Sequence, residues 1–446
     1  MEAVRWTGAW VDGAWVDGGR VHDPVEPVAT GQPAFSTKRT TSPTGVLPVT
    51  MDTGAPERRT SNRVNAVTPQ QIRTLYDLSL AHDAPDLVHL EFGEPDFETP
   101  AHVVDAAVQA ARDGKTKYTA NAGIVELRRE IARWVAETTG VTVDPGSEVV
   151  VTTGGVEALF LAILSVADPG EEIVVPTPAW PNTISQATLA GATPIEVPLP
   201  EANGFDLEPE RVIDAITADT AAVVLTSPSN PTGRVFDVDA MEHVVEAAAR
   251  HGAYVIADEV YRELSYGPAQ PSLRERTAHP EHVLTVKSFS KTYAMTGWRV
   301  GWLYGPADVV SQMTKIREST TSCVSTPSQY AAIAALTGPQ EPVREMKAAF
   351  AERREYVLGR IDALPRVSCP PPDGAFYVFL DAGALDGSSM DLAKRLLYEY
   401  DVVTAPGSAF GAAGEGYLRL SFANGLDRLE AGLDRIERLV RDELDG

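Results

Sequence analysis

Hydrophobic and polar positions follow two different periods along most of the chain after about residue 69. Short β-branched runs bounded by polar residues predict strands, and apolar residues spaced three and four apart predict helices. In Ile124–Thr139, for example, Ile124, Leu127, Ile131 and Val135 share one helical face. The predicted helices are Pro69–His82, Ala101–Asp113, Ile124–Thr139, Val156–Ala167, Ala240–His251, Glu341–Leu364 and Asp427–Leu444. The predicted strands are Glu148–Thr152, Glu172–Pro176, Ala221–Thr226, Tyr254–Ala257, Val283–Val286, Ala375–Leu380 and Tyr417–Phe422.

The alternation of these strands with helices predicts an α/β fold with a largely parallel sheet covered on both faces. The helices and strands from about residue 311 onward fit a second, smaller α+β domain that returns to the first, with a cleft between them. Polar residues cluster after two of the strands, at Ser227–Gly233 and Asp258–Tyr261. Open α/β sheets bind ligands at such strand ends, so we expect the site there.

The first 62 residues differ from the rest. Ala9–Gly13 and Ala14–Gly18 both read AWVDG, and Pro24–Pro56 is rich in Pro, Thr, Ser and Gly without a strand or helix period. This composition is typical of a flexible extension that builds no packed core. One hypothesis is that translation begins at Met51.

The charge composition argues against proteins that bind nucleic acids. The chain has 446 residues, 38 Lys+Arg and 62 Asp+Glu, giving a net charge of −24. A polyanion such as DNA would be repelled, so no nucleic-acid partner is expected. Two interpretations stay open: an ordinary acidic enzyme, or a protein adapted to high salt, where charge repulsion is screened.

Other features predict a cytoplasmic protein. Apolar runs such as Ala221–Leu225 are far shorter than the about 20 residues that span a bilayer, and no signal-peptide pattern is present. The two cysteines, Cys323 and Cys369, cannot build a disulfide framework, which fits a reducing cytosol. The eight histidines are scattered without ligand spacing, so no metal site is expected.

The segment from Ser288 to Gly301, SFSKTYAMTGWRVG, carries the most chemical information. Lys291 lies in apolar, glycine-rich surroundings where an ammonium is costly to bury, and an imine with a carbonyl cofactor removes that cost. Ser288 and Arg299 offer a hydroxyl and a guanidinium fork suited to a phosphate. A lysine with phosphate ligands points to pyridoxal 5′-phosphate (PLP). The alternative from residue types alone is a surface lysine in a loop.

Six segments in this order resemble the class I/II aminotransferases, PLP enzymes of fold type I, and most closely the aspartate-aminotransferase-like branch. They are Gly93–Phe97, Lys117–Thr119, Ser227–Gly233, Asp258–Tyr261, the Lys291 segment and Tyr417–Phe422. The resemblance covers about residues 63–440. It implies a large domain with a mostly parallel seven-stranded sheet sandwiched by helices, and a smaller α+β domain built from both chain ends. The implied boundaries are 1–62 for the extension, 63–98 and 311–446 for the small domain, and 99–310 for the large PLP-binding domain.

The resemblance also implies roles at the cofactor ring. Lys291 corresponds to the Schiff-base lysine that moves the substrate proton. Asp258 corresponds to the carboxylate that pairs with the pyridine nitrogen and keeps the ring an electron sink. Asn230 and Tyr261 correspond to the pair that hydrogen-bonds the 3′-oxygen, and Trp180 to the aromatic residue stacked on the ring.

At the phosphate, the resemblance implies contacts from the turn Gly154, Gly155 and Val156 and from Ser288 and Arg299. Glycine amides at a helix N-terminus favour such an anion independently. Tyr118 corresponds to a tyrosine that reaches the phosphate from the neighbouring subunit, which implies a homodimer with shared sites.

On the substrate side, Arg419 corresponds to the arginine that clamps the α-carboxylate of both amino acid and oxo acid. Gly93 would lie beside it and leave room for the substrate backbone, with Trp180 and Asn230 also in contact. Some aspartate-preferring relatives have a lysine at the place of Val156, which can meet a distal carboxylate. The apolar Val156 therefore favours an aromatic or aliphatic donor.

We accordingly expect an aminotransferase that moves an amino group from an L-amino acid of the aspartate, aromatic or alanine type to 2-oxoglutarate by a ping-pong mechanism. The same fold also supports a PLP-dependent β-eliminating lyase, which is the alternative. A PLP-binding sensor domain would need a helix-turn-helix module, and residues 1–62 show none. A dinucleotide-binding oxidoreductase would need a G-x-G-x-x-G after an early strand, which is absent.

Overall fold

The computed structural model describes residues 60–268 and 270–445, and the backbone of 8–11, 14–17 and 20–21. Residues 1–58 and 59–446 are separate compact units. In the first unit, β1 (Gly8–Val11), β2 (Ala14–Asp17) and β3 (Arg20–Val21) form an antiparallel sheet. The AWVDG duplication thus supplies two strands, where the sequence predicted no element. Pro24–Pro56 and Met51 lie outside the described residues, so the flexible extension stays a prediction.

The second unit is built on a sheet of seven strands. Before it come α1 (Asn62–Asn65), α2 (Gln71–Leu80), β4 (Val88–His89), α3 (Ala101–Arg112) and α4 (Val125–Thr139). The sheet strands are β5 (Val149–Thr152), β6 (Glu172–Thr177), β7 (Thr193–Pro198), β8 (Thr220–Thr226), β9 (Tyr254–Asp258), β10 (Val283–Ser288) and β11 (Gly301–Tyr304). Their order is β5-β11-β10-β9-β8-β6-β7, with only β11 antiparallel to its neighbours. The predicted mostly parallel, seven-stranded sheet is confirmed.

Helices cover both faces of this sheet. They are α5 (Gly154–Val166), α6 (Pro181–Ala190), α7 (Pro209–Asp214), α8 (Val238–Arg250), α9 (Leu273–Arg276), α10 (Phe289–Thr292), α11 (Ala307–Glu318) and α12 (Thr326–Thr337). Successive strand residues face opposite sides. On β8, Val223 and Leu225 therefore pack with α8, whereas Ala222 and Val224 pack with α5. A strand buried on both faces reads as a continuous apolar run, which is the pattern seen in the sequence.

The remaining elements follow α12 in the chain, and one of them pairs with β4 near the start of the second unit. They are α13 (Glu341–Asp362), β12 (Tyr377–Asp381), α14 (Ser389–Tyr400), β13 (Val402–Val403), β14 (Ala405–Pro406), β15 (Tyr417–Ser421) and α15 (Leu426–Asp445). Strands β12, β15 and β14 form an antiparallel sheet, and β13 pairs in parallel with β4. This pairing holds the segment that leads to Gly93 against the carboxyl-terminal part. The domain boundaries stay a prediction.

The predicted helices and strands all occur, with ends that differ by no more than about two residues. The elements of the second unit that the sequence analysis missed are β4, β7, β11, β13, β14, α1, α6, α7, α9, α10, α11, α12 and α14. Strand β11 is short and buried at all four positions, so it shows no alternation. Strand β7 contains two prolines and is half-exposed at the sheet edge, and proline lowers a segment's apparent strand character.

Candidate active site

The carboxyl ends of β8, β9 and β10 open into a cavity of about 350 Å³. Parallel strands end at the same edge of a sheet, so Thr226, Asp258 and Ser288 come together there. The predicted site residues that line the cavity are Gly93, Gly155, Val156, Trp180, Asn230, Asp258, Tyr261, Ser288, Lys291, Arg299 and Arg419. The structure therefore brings together residues that are spread over more than three hundred positions of the sequence.

Lys291 is carried by the short helix α10, directly after β10. The Ser288 hydroxyl caps this helix by accepting a hydrogen bond from the Ser290 amide at 3.1 Å. The half-buried Lys291 Nζ donates to the Gly93 carbonyl. Burial lowers the pKa of Lys291 to about 8; the positive charges of Arg419 and Arg299 act in the same direction, and Glu94 opposes them. At this pKa about one tenth of the amine is neutral at pH 7, and the neutral form can act as a base.

Asp258 is the last residue of β9 and is 5% exposed. One carboxylate oxygen accepts the Val260 amide at 3.3 Å. Burial raises the pKa of this carboxyl to about 7, and the Val260 hydrogen bond and the charge of Lys287 partly counteract the rise. A cationic partner in the cavity would restore the ionised form, since an opposite charge lowers a carboxyl pKa.

Two buried tyrosines meet beside Lys291. The hydroxyls of Tyr261 and Tyr377 are 2.8 Å apart, and burial raises the pKa of both. A Cβ at Gly93 would collide with the Tyr377 hydroxyl. Gly93 thus makes room for Tyr377, where the sequence analysis expected room for the substrate backbone. Tyr377 was missed because nothing in the pattern of β12 separates it from a core tyrosine.

Arg419 lies on β15 and is 3% exposed. Its Nη1 donates to Asn230 Oδ1 at 2.9 Å, and its Nη2 donates to the Glu91 carbonyl. The guanidinium carbon stands 4.5 Å from the Tyr377 ring centre. Nε is buried without a partner among the described residues. The side chain is therefore held in place and keeps a free donor, as a carboxylate-binding arginine requires.

The start of helix α5 lies against the guanidinium of Arg299. Gly154, the first residue of α5, has φ +78°, and a Cβ there would lie 2.6 Å from Arg299 Nη2. Arg299 Nη1 donates to the Thr296 carbonyl at 2.7 Å, which holds the guanidinium over the helix end. The Ser288 hydroxyl donates to that of Ser290 at 2.9 Å. Helix amides, hydroxyls and a guanidinium at one place suit a phosphate.

Two predicted residues do not line the cavity. Gly154 contributes through its contact with Arg299, and Tyr118 is 91% exposed, away from the cavity of its own chain. The lining residues that the sequence analysis missed are Gln70, Ile72, Arg73, Tyr76, Glu91, Phe92, Glu94, Pro181, Thr226, Val260, Ser290, Thr296 and Tyr377. A signal existed for Ser290, which lies inside the lysine motif one residue before Lys291.

The outer wall of the cavity is mostly apolar. Tyr76 packs edge-on against Phe92, with ring centres 5.0 Å apart. Arg73 Nε lies 3.0 Å from Asp77 Oδ1, and its guanidinium is 4.7 Å from the Tyr76 ring. Val156 completes this side. Arg73 is thus a cation at the outer wall, paired with Asp77 and separate from Arg299 and Arg419.

The part of the chain that the structure describes contains no group of three or more His, Cys, Asp or Glu side chains able to hold a metal ion. Within the same residues, none of the helices combines the length and apolar character needed to cross a membrane. Cys323 and Cys369 are free thiols.

Comparisons with known proteins agree on one family. The family model described as "Aminotransferase class I and II" matches residues 85–436. The aspartate aminotransferase of Geobacillus stearothermophilus is 37% identical over 395 residues, covering 85% of this chain and 98% of that protein. The aromatic-amino-acid aminotransferase 2 of Thermococcus litoralis is 35% identical over 388 residues, covering 86% and 98%. The structure of Thermus thermophilus aspartate aminotransferase with maleate matches with a TM-score of 0.81 at 38% identity, covering 86% of this chain and all of that one.

Proposed function

Because the chain belongs to the class I and II aminotransferases, we propose that the cavity at the carboxyl ends of β8, β9 and β10 is its active site. The protein is an aminotransferase, and its cofactor is PLP, as in the family. The observation that supports this site is the position of Lys291. Its amine has a pKa lowered to about 8 and shares one cavity with a buried carboxylate, Asp258, and a buried guanidinium, Arg419.

The residues present fit PLP. Among the residues that the structure describes, the Asp258 carboxylate accepts one hydrogen bond, from the Val260 amide at 3.3 Å, so it can also accept a protonated ring nitrogen. The start of α5, with Ser288, Ser290 and Arg299, would hold the phosphate, and the absent Cβ of Gly154 is what allows Arg299 to approach. Tyr261 and Asn230 would hold the 3′-oxygen, and Trp180 would cover the ring.

When bound, PLP supplies an aldehyde that takes up an amino group and a ring that withdraws electrons from the substrate α-carbon. Asp258 keeps a positive charge at the ring nitrogen. The neutral form of Lys291 Nζ accepts the proton of the α-carbon and later returns it. Arg419 binds the α-carboxylate, which amino acid and oxo acid share, so one arginine serves both half-reactions. Together these residues support transfer of an amino group in two separate, reversible half-reactions.

For the donor, we infer an aromatic or aliphatic amino acid. The side-chain end of the cavity is walled by Ile72, Tyr76, Phe92 and Val156, and burial of an apolar side chain there contributes about 1.5–3 kcal/mol. Relatives include both aspartate and aromatic-amino-acid aminotransferases, so the donor has to be measured. The experiment is a panel of amino acids with 2-oxoglutarate. A higher kcat/KM for aspartate than for phenylalanine would contradict the inference.

For the acceptor, we infer 2-oxoglutarate and assign Arg73 to its second carboxylate. Because Arg73 is largely exposed and already faces Asp77, the expected effect is modest. Arg73→Met should raise the KM for 2-oxoglutarate by up to about fivefold, since an exposed ion pair contributes at most about 1 kcal/mol. The KM for pyruvate, which has no second carboxylate, should not change. Arg63→Met, at an exposed arginine outside the cavity, is the control. An equal rise for both oxo acids would refute this assignment.

The active enzyme is inferred to be a homodimer. Tyr118 is 91% exposed in a single chain, although its motif matches a phosphate contact of the family. Mixing Lys291→Ala and Tyr118→Ala chains tests this inference. In a shared-site dimer, each mixed dimer regains one intact site, so activity should return. No return of activity, or a monomer by light scattering, would contradict it. The cytoplasmic location stays a prediction.

A further inference from the structure

A second lysine lies directly beneath the site and takes no part in the function described above. Lys287, on β10, is 2% exposed. Its Nζ bonds both oxygens of Glu263, at 2.8 and 2.9 Å, and the Glu259 carbonyl at 3.0 Å. The Trp134 ring centre lies 5.2 Å from the same nitrogen. All three N–H groups of the ammonium are therefore used, which is what burying this charge requires.

The partners of Lys287 belong to the segments that carry the reactive groups. Glu259 follows Asp258, and Glu263 lies in the turn that begins at Tyr261. The Glu263 carboxylate also accepts the Thr292 hydroxyl at 3.3 Å, and Thr292 follows Lys291 on α10. One ion pair thus joins β10, the turn after β9 and the helix that holds Lys291.

A buried ion pair contributes little net stability compared with apolar residues of the same size, because desolvation offsets most of the attraction. Its presence here therefore calls for another explanation. Side chains alternate along β10, so Lys287 points away from Ser288 and the cavity. Its charge nevertheless lowers the pKa of Asp258, in opposition to the dominant effect of burial.

We propose that Lys287 is a positioning residue that, through Glu263, fixes the turn bearing Lys291 and balances the charge beneath the site. The proposal rests on the proposed function, since it takes Lys291 as the cofactor-bearing lysine. Removal of either partner leaves an unbalanced charge next to the groups that titrate during the reaction, although Arg262 still lies 3.8 Å from Glu263. The two single changes leave charges of opposite sign, so their electrostatic effects must be opposite.

Other charges face the same region. Those around Lys291 are Glu94 from the segment after β4, Asp258 from β9, Arg299 from the segment before β11 and Arg419 from β15, with Tyr261 and Tyr377. Those around Lys287 are Glu259, Arg262 and Glu263. Apart from Glu263 itself, none of these groups is altered in the variants below, so the others contribute equally to each measurement.

The test uses holoenzymes of Lys287→Met, Glu263→Gln and the double variant. In each, the pH midpoint of the visible cofactor band is titrated. Lys287→Met leaves a negative charge, which favours the protonated form and should raise the midpoint by about half a pH unit. Glu263→Gln leaves a positive charge and should lower it by a similar amount. The double variant should return close to the wild-type midpoint. Arg360→Gln, which breaks an ion pair of 2.7 Å between α13 and α15, should not shift it.

Shifts of the pH midpoint in opposite directions that cancel in the double variant support the proposal. A purely structural defect would not make the direction of the shift depend on the sign of the charge that remains. Shifts in the same direction, or no shift in either single variant, overturn it. Glu263→Gln keeps the size of Glu263 and one acceptor oxygen for the Lys287 ammonium, so this variant tests the sign even if Lys287→Met fails to fold. A missing visible band in the wild-type holoenzyme would instead overturn the assignment of Lys291 itself.

Discussion

Replacement of Arg419 by lysine tests the substrate-binding half of the site. Lysine keeps the charge but loses the planar fork that holds a carboxylate with two parallel hydrogen bonds. In the structure, Arg419 Nη1 donates to Asn230 Oδ1 and Nη2 donates to the Glu91 carbonyl, whereas Nε has no hydrogen-bond partner among the described residues. A lysine at this position cannot satisfy both fixed acceptors and also bind a carboxylate in the same geometry.

The expected loss follows from burial. Arg419 is 3% exposed, so its pairing with a carboxylate takes place largely away from water. Disrupting one partner of such a buried, hydrogen-bonded charge pair costs about 3–4 kcal/mol. That corresponds to about a 10²–10³-fold decrease in kcat/KM. The decrease should be similar for every amino acid donor and for the oxo acid acceptor, because all of them carry the carboxylate.

The assay is single-turnover absorbance of each half-reaction, with phenylalanine and with phenethylamine, which lacks the carboxylate. We expect a large loss for phenylalanine and almost none for the amine. Arg428→Lys, at an exposed arginine of α15, is the control and should change neither rate. An equal loss for the amino acid and the amine would show that Arg419 holds the site together and does not bind the carboxylate.

Three further predictions follow from the charges of the chain. In the protein without cofactor, the pKa of Asp258 is about 7 in the folded state, against an ordinary 3.8. The folded state therefore holds this proton more tightly than the unfolded state, and the free energy of unfolding falls as the pH rises from about 4 to 7. In urea titrations, Asp258→Asn should raise the free energy of unfolding by up to about 4 kcal/mol at pH 8 and leave it unchanged at pH 4. A lack of pH dependence in that difference would contradict the burial of this carboxyl. Val156→Lys should raise kcat/KM for aspartate relative to that for phenylalanine. An unchanged ratio would show that Val156 does not determine which donor is preferred. Because the net charge is −24, the unfolding midpoint should rise between about 0.1 M and 2 M KCl as repulsion is screened; full stability in dilute buffer would argue against salt adaptation.

The central sheet could be predicted because its strands are buried on both faces. Runs such as Ala221–Thr226 and Val283–Val286 are apolar except for one threonine each, and each is followed by polar residues. Strand ends in a parallel sheet share one edge, so the sequence predicts that Ser227–Gly233 and Asp258–Tyr261 meet there. The family motifs then supplied Arg419, which is distant in sequence and lies in a different sheet.

What the sequence could not supply depends on packing across the chain. Tyr377 reaches Tyr261 only because β12 pairs with β15 and Gly93 lacks a side chain. Arg73 belongs to a predicted helix, but helical periodicity does not say which cavity that helix borders. The Lys287–Glu263 pair joins residues whose charges, taken singly, look like ordinary surface charges.

The most direct test of the account is borohydride reduction of the holoenzyme followed by peptide mass spectrometry. Reduction should fix the cofactor on Lys291, and Lys291→Ala should lose both the adduct and the visible band. An adduct on Lys287 or on any other lysine, or a visible band that persists in Lys291→Ala, would contradict the assignment of the active site.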